Sequence, residues 1–89
     1  MQSINLDTEY LEKIKNSFQK TFGSGHEFSQ RLKKEDLNQW DSLHHVVFMI
    51  SIEKEFGIKL DGSTVAELVS IEKILEKVKA LKANGSNPG

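Results

Sequence analysis

The sequence predicts an all-α protein, a four-helix bundle with three longer helices, one short helix and a long loop between the first two helices. Apolar residues recur at helical spacing in separate segments, and residues typical of helix starts precede them. The chain has 89 residues, which suffices for one domain with a modest core. We therefore expect a single helical domain over residues 1–83 and a flexible polar tail over residues 84–89.

The first helix is predicted from apolar residues that recur every four positions. They are Leu6, Tyr10, Ile14, Phe18 and Phe22. Asp7 or Thr8 is expected to begin this helix, and Gly23 with Gly25 is expected to end it. The opposite face is charged, and we expect it to be solvated.

A loop is predicted from Gly23 to Asp41, because this stretch shows no sustained periodicity. Four apolar side chains are expected to hold it against the helices: Phe28, Leu32, Leu37 and Trp40. A short basic cluster of Arg31, Lys33 and Lys34 also lies in the loop. We expect that cluster to be a solvated turn and assign no site to it.

The second helix is expected to begin after Asp41, because an aspartate before a long run without Gly or Pro is a good N-cap. Ser42 then falls in the first helical turn. Unpaired backbone N–H groups and the positive end of the helix dipole would favour a phosphate esterified to Ser42. The local pattern alone favours an ordinary first-turn residue at Ser42, because Asp-Ser pairs are common at helix starts.

Two apolar stripes run along roughly opposite sides of this helix. The Leu43 stripe consists of Leu43, Val46, Val47 and Ile50, and the Phe48 stripe consists of Phe48, Met49, Ile52 and Phe56. One interpretation is a central helix packed on all sides. We favour a second interpretation, because only one more full-length helix remains to cover the other stripe. In it the Phe48 stripe is core, and the Leu43 stripe stays partly exposed beside Ser42 as a docking surface.

A short third helix is predicted after a turn at Gly57, from which Ile58 and Leu60 are expected to point inward. Thr64 and Glu67 have the spacing of a capping box, so Thr64 is expected to start this helix. Its apolar residues are Val65, Leu68 and Val69.

The last helix is expected to start at Ser70, which is a suitable cap. Its amphipathic stripe consists of Ile71, Ile74, Leu75, Val78 and Leu81. Lysines near its end suit the negative pole of the helix dipole.

Composition excludes several classes of function. The 12 basic and 13 acidic residues give a formal charge of −1, so we expect no nucleic-acid partner and no anionic membrane surface. The chain has no cysteine, which removes disulfides, thiolate metal sites and a cysteine nucleophile. No apolar run approaches the length of a membrane span, and the first residues do not resemble a secretion signal. We expect a soluble, cytoplasmic protein without membrane insertion.

The polar side chains near Ser42 do not predict an enzyme. Ser42 and His45 are three residues apart, but a hydrolase also needs an orienting acid, an oxyanion hole and a substrate cleft. His44 and His45 point in different directions on a helix, so they cannot easily share a zinc ion with each other or with His26. We expect surface histidines, no metal site and no catalytic residues.

Three stretches form a pattern: Asp36-Leu37, Asp41-Ser42-Leu43 and the helix end Glu53-Lys54-Glu55-Phe56-Gly57-Ile58. This pattern resembles the acyl carrier protein family, whose hallmark is Asp-Ser-Leu at the start of the second helix. The likeness continues through the short third helix and the Ser70-Ile71 start of the fourth. It runs without a gap from Asp41 to about Val78.

The resemblance implies that Ser42 carries 4′-phosphopantetheine, which a phosphopantetheinyl transferase moves from coenzyme A with Mg²⁺. The thiol of this arm would hold an acyl or aminoacyl group as a thioester, so a chain without cysteine would borrow its thiol. Asp41 would cap the helix and contact partners, and Leu43 would flank the attachment site. The other partners implied are an acyl-loading ligase or acyltransferase and downstream synthase enzymes.

The resemblance also assigns roles to two groups of side chains. Partner enzymes would dock on Leu43, Val46, Val47, Ile50 and Glu53. An acyl pocket would open among Phe48, Ile52, Leu60, Val65 and Leu68.

The chain departs from the family pattern in three ways. His44, His45, Val47 and Lys54 stand where acidic or small polar residues are usual, so docking should depend less on charge. Asn38-Gln39-Trp40 replaces a common Gly-Ala, and we expect Trp40 to cover the bundle without contacting the arm. The balanced net charge indicates a specialised carrier for a dedicated pathway.

We therefore expect a monomeric carrier protein that shuttles acyl or aminoacyl intermediates, bound as thioesters, between enzymes of a pathway such as fatty acid or polyketide biosynthesis. One alternative is an unmodified helical domain that grips a partner helix with the Leu43 stripe. A second alternative is a peptidyl or aminoacyl carrier of a nonribosomal pathway.

Overall fold

The protein folds as a small all-α bundle, as predicted, in a computed structural model that describes residues 6–85. Helix α1 spans Leu6–Phe22, α2 spans Ser42–Phe56, α3 spans Gly62–Glu67 and α4 spans Ile71–Gly85. A single 3₁₀ turn, Lys34–Asp36, interrupts the long loop. Helix α4 runs two residues into the predicted tail, and the rest of that tail, 86–89, lies outside the described residues.

Helix α1 packs against both α2 and α4 through the apolar stripe that its sequence predicts. Ile14 and Phe18 are fully buried, because residues four apart share one helix face. The core that they enter is drawn from α1, α2, α4, the end of the long loop and the residue that follows α3. The following side chains form it: Ile14, Phe18, Trp40, Phe48, Met49, Ile52, Phe56, Leu68, Ile71, Ile74, Leu75 and Val78. These side chains form one continuous hydrophobic core.

The long loop is fixed at both its middle and its end. Its backbone pairs with the α3–α4 connection, where the Lys34 N–H donates to the Val69 carbonyl and the Ile71 N–H donates to the Leu32 carbonyl, both at 2.9 Å. The predicted anchors Phe28, Leu32 and Leu37 pack against the core. Trp40 goes further than the prediction, because it lies within the core and does not merely cover it.

Helix α3 begins one residue after Asp61, earlier than the capping-box spacing predicts. The Asp61 carboxylate accepts the Thr64 backbone N–H at 2.8 Å and the Ser63 hydroxyl at 3.1 Å. An aspartate cap satisfies the first-turn N–H groups more directly than Thr64 would, so the prediction of Thr64 as the start was wrong. Helix α2 ends as predicted at Gly57, whose φ of 66° is a left-handed conformation that favours glycine.

Ser17 is the one buried side chain within the described residues whose oxygen has no hydrogen-bond partner. A buried hydroxyl without a partner has lost its bonds to water and gained none in return. We therefore expect Ser17→Ala to raise the free energy of unfolding by about 1 kcal/mol, with part of the gain from the better helix propensity of alanine. Urea denaturation of both proteins measures the difference. Destabilisation by the substitution would show that the hydroxyl has a partner in solution.

Candidate functional site

Ser42 is the first residue of α2 and is exposed to solvent. Asp41 caps the helix as predicted, and its Oδ1 accepts the His44 backbone N–H at 2.9 Å. The Asp41 carbonyl accepts the His45 N–H at 2.8 Å. These two bonds leave the first-turn N–H groups of Ser42 and Leu43 without a helical acceptor. An anionic group on the Ser42 hydroxyl would therefore meet free N–H donors and the positive end of the dipole.

The Asp41 carboxylate also binds the side chain of His44. Nδ1 of His44 lies 2.8 Å from Oδ1 of Asp41, and the His44 ring stacks on Phe22 with a centroid separation of 5.8 Å. The His44 backbone N–H, followed by its side chain, lowers the pKa of Asp41 below its usual 3.8. The cap is therefore a carboxylate at neutral pH.

This cap should be sensitive to acid. Because its folded-state pKa is lowered, the contribution of Asp41 to stability is complete above the unfolded-state pKa and is lost as the pH falls through the folded-state pKa. Asp41→Asn keeps a good cap and should remove this part of the acid dependence. Carboxyl titration by ¹³C NMR checks the direction. Asp61, whose pKa is lowered by the Thr64 N–H, is the matched group, and a pKa of Asp41 at or above 3.8 would contradict the assignment.

The Leu43 stripe is exposed beside Ser42, as the favoured interpretation predicts. The exposed fractions are 70% for Leu43, 49% for Val46 and 46% for both Val47 and Ile50. The Phe48 stripe is buried on the other side of α2. Four apolar side chains on one face of α2 are therefore open to solvent.

Some charged side chains of α2 form bonds within the domain, and others are exposed to solvent. Glu53, predicted to contact partners, uses its Oε2 to accept the Leu60 backbone N–H at 2.7 Å, so it holds the α2–α3 loop. Glu55 pairs with Lys20 across the α1–α2 groove at 3.7 Å. Lys54 is exposed and has no ion-pair partner in the described part of the chain. Both acidic side chains of α2 are therefore engaged within the domain.

His45 is buried, which corrects the expectation of a surface histidine. Only 6% of it is exposed, and its ring stacks on Trp40. The indole Nε1–H of Trp40 donates to Nδ1 of His45 at 2.9 Å, and Nε2 of His45 lies 2.7 Å from the Val65 carbonyl. These partners require the imidazole proton to be on Nε2, which donates to Val65. We call this chain of two hydrogen bonds the buried relay.

The buried relay prevents His45 from acting as a base for Ser42 or as a zinc ligand. Both ring nitrogens are occupied, so His45 has no lone pair free to accept a proton from Ser42. No three His, Asp or Glu side chains within the described ranges are grouped to hold a metal ion. The burial of His45 could have been predicted from its position on the helix. His45 is three residues before Phe48 and four before Met49, so it lies on the same face as the Phe48 stripe.

The side chains predicted to line an acyl pocket are closely packed. Phe48, Ile52 and Leu68 are buried, and Leu60 and Val65 are half-buried against them. A cleft of about 720 Å³ lies elsewhere, between the loop and the start of α4, and Lys33, Lys34, Glu35, Val69, Ser70, Glu72, Lys73 and Glu76 line it. It contains none of the predicted pocket residues. None of the helices that the structure describes has the length and apolarity to cross a membrane.

Comparisons of the chain with protein-family models, curated proteins and solved structures found no match.

Proposed function

We propose that this chain is a carrier protein whose Ser42 holds a 4′-phosphopantetheine arm. The single observation that carries the proposal is an exposed serine at a helix N-terminus directly beside an exposed apolar stripe. The thiol of the arm would bind an acyl or aminoacyl group as a thioester and present it to successive enzymes. This function follows the likeness to acyl carrier proteins, and the geometry around Ser42 supports it.

The attachment needs only an accessible hydroxyl from this chain. The Ser42 Oγ forms a phosphoester bond, the diphosphate bond of coenzyme A breaks, and adenosine 3′,5′-bisphosphate leaves. The serine proton passes to a base of the transferase, which also binds Mg²⁺. Ser42 is exposed, and the free N–H groups of α2 favour the phosphodiester that results. The carrier itself therefore supplies no catalytic group.

The Leu43 stripe supports partner docking in the same proposal. It gives an enzyme an apolar surface within one or two helical turns of the attachment site. The acids of α2 bond within the domain, through Glu53 to Leu60 and through Glu55 to Lys20. Docking should therefore depend mainly on apolar contact, and added salt should slow it little. We place the carrier, as a monomer, with cytoplasmic ligases, acyltransferases and synthases.

Intact-mass analysis tests the proposal directly. The chain is incubated with coenzyme A, Mg²⁺ and a broad-specificity phosphopantetheinyl transferase. We expect a mass increase equal to one phosphopantetheine group. An unchanged mass with a transferase that modifies a control carrier would overturn the proposal.

Truncating the Leu43 stripe should slow arm transfer. Leu43→Ala and Ile50→Ala are each expected to lower kcat/KM by about tenfold, because losing a central apolar anchor costs roughly 1.4 kcal/mol or more at an interface. The measurement is the rate of transfer at low carrier concentration. The thermal midpoint should hardly change, since both side chains are largely exposed.

Lys73→Ala is the control for this prediction, because Lys73 is an exposed residue of α4 away from the Leu43 stripe. Its kcat/KM should match that of the unmodified sequence. Equal rates for all three variants would show that the transferase docks on another face.

One alternative retains support from the same stripe. An unmodified interaction domain would use Leu43, Val46, Val47 and Ile50 to bind an apolar groove or helix of a partner. It predicts partner binding without any mass increase.

A nonribosomal aminoacyl carrier would differ only in its cargo, and loading by an amino-acid-activating ligase would identify it.

A further inference from the structure

We propose that cargo on the Ser42 arm stays outside the helical bundle, and that this carrier therefore serves short or polar acyl groups, including aminoacyl groups. The inference rests on the proposed function of Ser42. Its structural basis is the buried relay, which closes the space between α2 and α3 next to the attachment site.

His45 lies between the start of α2 and α3, where it would meet an arm that turned inward from Ser42. It is three residues after Ser42, so its side chain lies about one helical turn below the attachment site on a neighbouring face. From there it points into the protein and reaches the Val65 carbonyl at the end of α3. The gap between α2 and α3 is thus spanned by a 2.7 Å hydrogen bond at the level where a chain would enter.

Trp40 blocks the neighbouring route between α2 and the loop. Only 1% of Trp40 is exposed, and its ring lies 5.5 Å from the Phe48 ring and 5.8 Å from the Phe22 ring, measured between centroids. Phe18 lies behind them at 6.5 Å from Trp40. We call these four side chains the aromatic cluster. Because protein interiors are close-packed, a chain can enter here only by displacing rings.

Opening either route would leave polar groups unpaired. If His45 moves, the Trp40 indole N–H and the His45 ring lose their partners, and the Val65 carbonyl keeps only its bond from the Leu68 N–H at 3.2 Å. Buried polar groups without partners are costly, and this penalty does not depend on cargo length. Burial of an acyl chain brings a gain that grows with each methylene. We expect this penalty to exceed the gain even for an octanoyl chain, and short or polar cargo has still less to gain.

The cargo carbonyl would in consequence remain at the end of an extended arm. Enzymes would bind the cargo and the Leu43 stripe together, and the cargo would not first have to leave a pocket. The thioester would also be as open to water and small nucleophiles as in free coenzyme A. This last property can be measured.

The experiment uses the full chain loaded with acetyl or octanoyl arms from the corresponding acyl coenzyme A and the transferase. Cleavage of each thioester by hydroxylamine is timed, and each rate is divided by that of the matching acyl coenzyme A. We expect both ratios to be near unity. A clearly lower ratio for octanoyl would mean that the chain enters the bundle, and it would overturn the inference while leaving the proposed function intact. Failure to load any arm would overturn both.

NMR of the loaded forms gives an independent readout. The chain has one tryptophan, so its indole N–H gives one signal that reports the bond from Trp40 to His45. This signal should have the same position with the bare arm, the acetyl arm and the octanoyl arm. Displacement by octanoyl alone would contradict a closed relay.

A variant tests whether the relay is the barrier. His45→Ala removes it, and the octanoyl thioester should then be cleaved more slowly than the acetyl thioester after the same normalisation. Lys54→Ala, at an exposed residue of the same helix, is the matched control and should behave like the unmodified sequence. Unprotected octanoyl on a folded His45→Ala variant would overturn the relay as the barrier. If that variant does not fold, the two measurements on the unmodified sequence decide the inference.

Discussion

Ser42→Ala is expected to abolish addition of the phosphopantetheine arm completely while leaving the helical content nearly unchanged. The substitution removes the only oxygen at this position that can form the phosphoester bond. The Ser42 side chain is exposed at the start of α2, and the helix cap belongs to Asp41. Alanine is well tolerated in a first helical turn. Intact-mass analysis and circular dichroism measure the two effects.

Ser63→Ala is the matched control for Ser42→Ala. Ser63 is also an exposed serine in a first helical turn, and Asp61 caps its helix as Asp41 caps α2. It differs in belonging to a short helix without an exposed apolar stripe. Ser63→Ala should therefore take the arm at the normal rate. An arm found on Ser42→Ala, or lost from Ser63→Ala, would move the attachment site.

Trp40→Ala is expected to have the largest effect on stability. Replacing a buried tryptophan with alanine costs about 3–5 kcal/mol, because the apolar surface is lost and a cavity remains. Here the aromatic cluster loses one of its four rings, and the buried relay loses the hydrogen bond from Trp40 to His45. A domain of this kind has a total stability of only about 5–15 kcal/mol. Urea denaturation followed by circular dichroism should show a midpoint shifted far downward or no folded baseline.

Leu43→Ala tests, in the same assay, whether the loss of stability in Trp40→Ala comes from the burial of the side chain and not from its apolar character alone. Leu43 is a large apolar side chain only three positions from Trp40, but 70% of it is exposed. Its truncation should change the free energy of unfolding by no more than about 0.5 kcal/mol. Similar losses for Trp40→Ala and Leu43→Ala would mean that the Leu43 stripe is covered in solution. A small loss for Trp40→Ala would mean that the aromatic cluster is not the centre of the core.

The helices were predictable because their signals are local. Asp41 caps α2 through its own carboxylate and the N–H three residues on, and Gly57 ends α2 by adopting a left-handed conformation. The spacing of Ile14 and Phe18 places both on one face of α1 without reference to any partner. The start of α3 was missed because two local signals compete there, and the carboxylate of Asp61 is the better acceptor.

The two apolar stripes of α2 were predictable from the sequence, but which stripe is buried depends on the helices that pack beside it. Periodicity shows that Leu43 and Phe48 lie on different sides of a helix, and the number of remaining helices suggests which side stays open. The structure confirms that choice, because α1 packs on the Phe48 side and the Leu43 stripe remains exposed. The carrier function assigned to Ser42 remains a proposal that the arm-transfer experiment tests.

The sequence by itself determined the four helices, the cap before Ser42 and the two apolar stripes, because each depends on residues within a turn or two of one another. Only the tertiary structure decided the places of Trp40, His45 and Glu53. Their partners are set by packing between elements: Trp40 meets α1, His45 meets Val65, which is 20 residues away, and Glu53 meets the Leu60 backbone. A polar side chain can be buried where it forms a hydrogen bond with a carbonyl distant in the sequence. Local residue spacing does not predict which carbonyl that is.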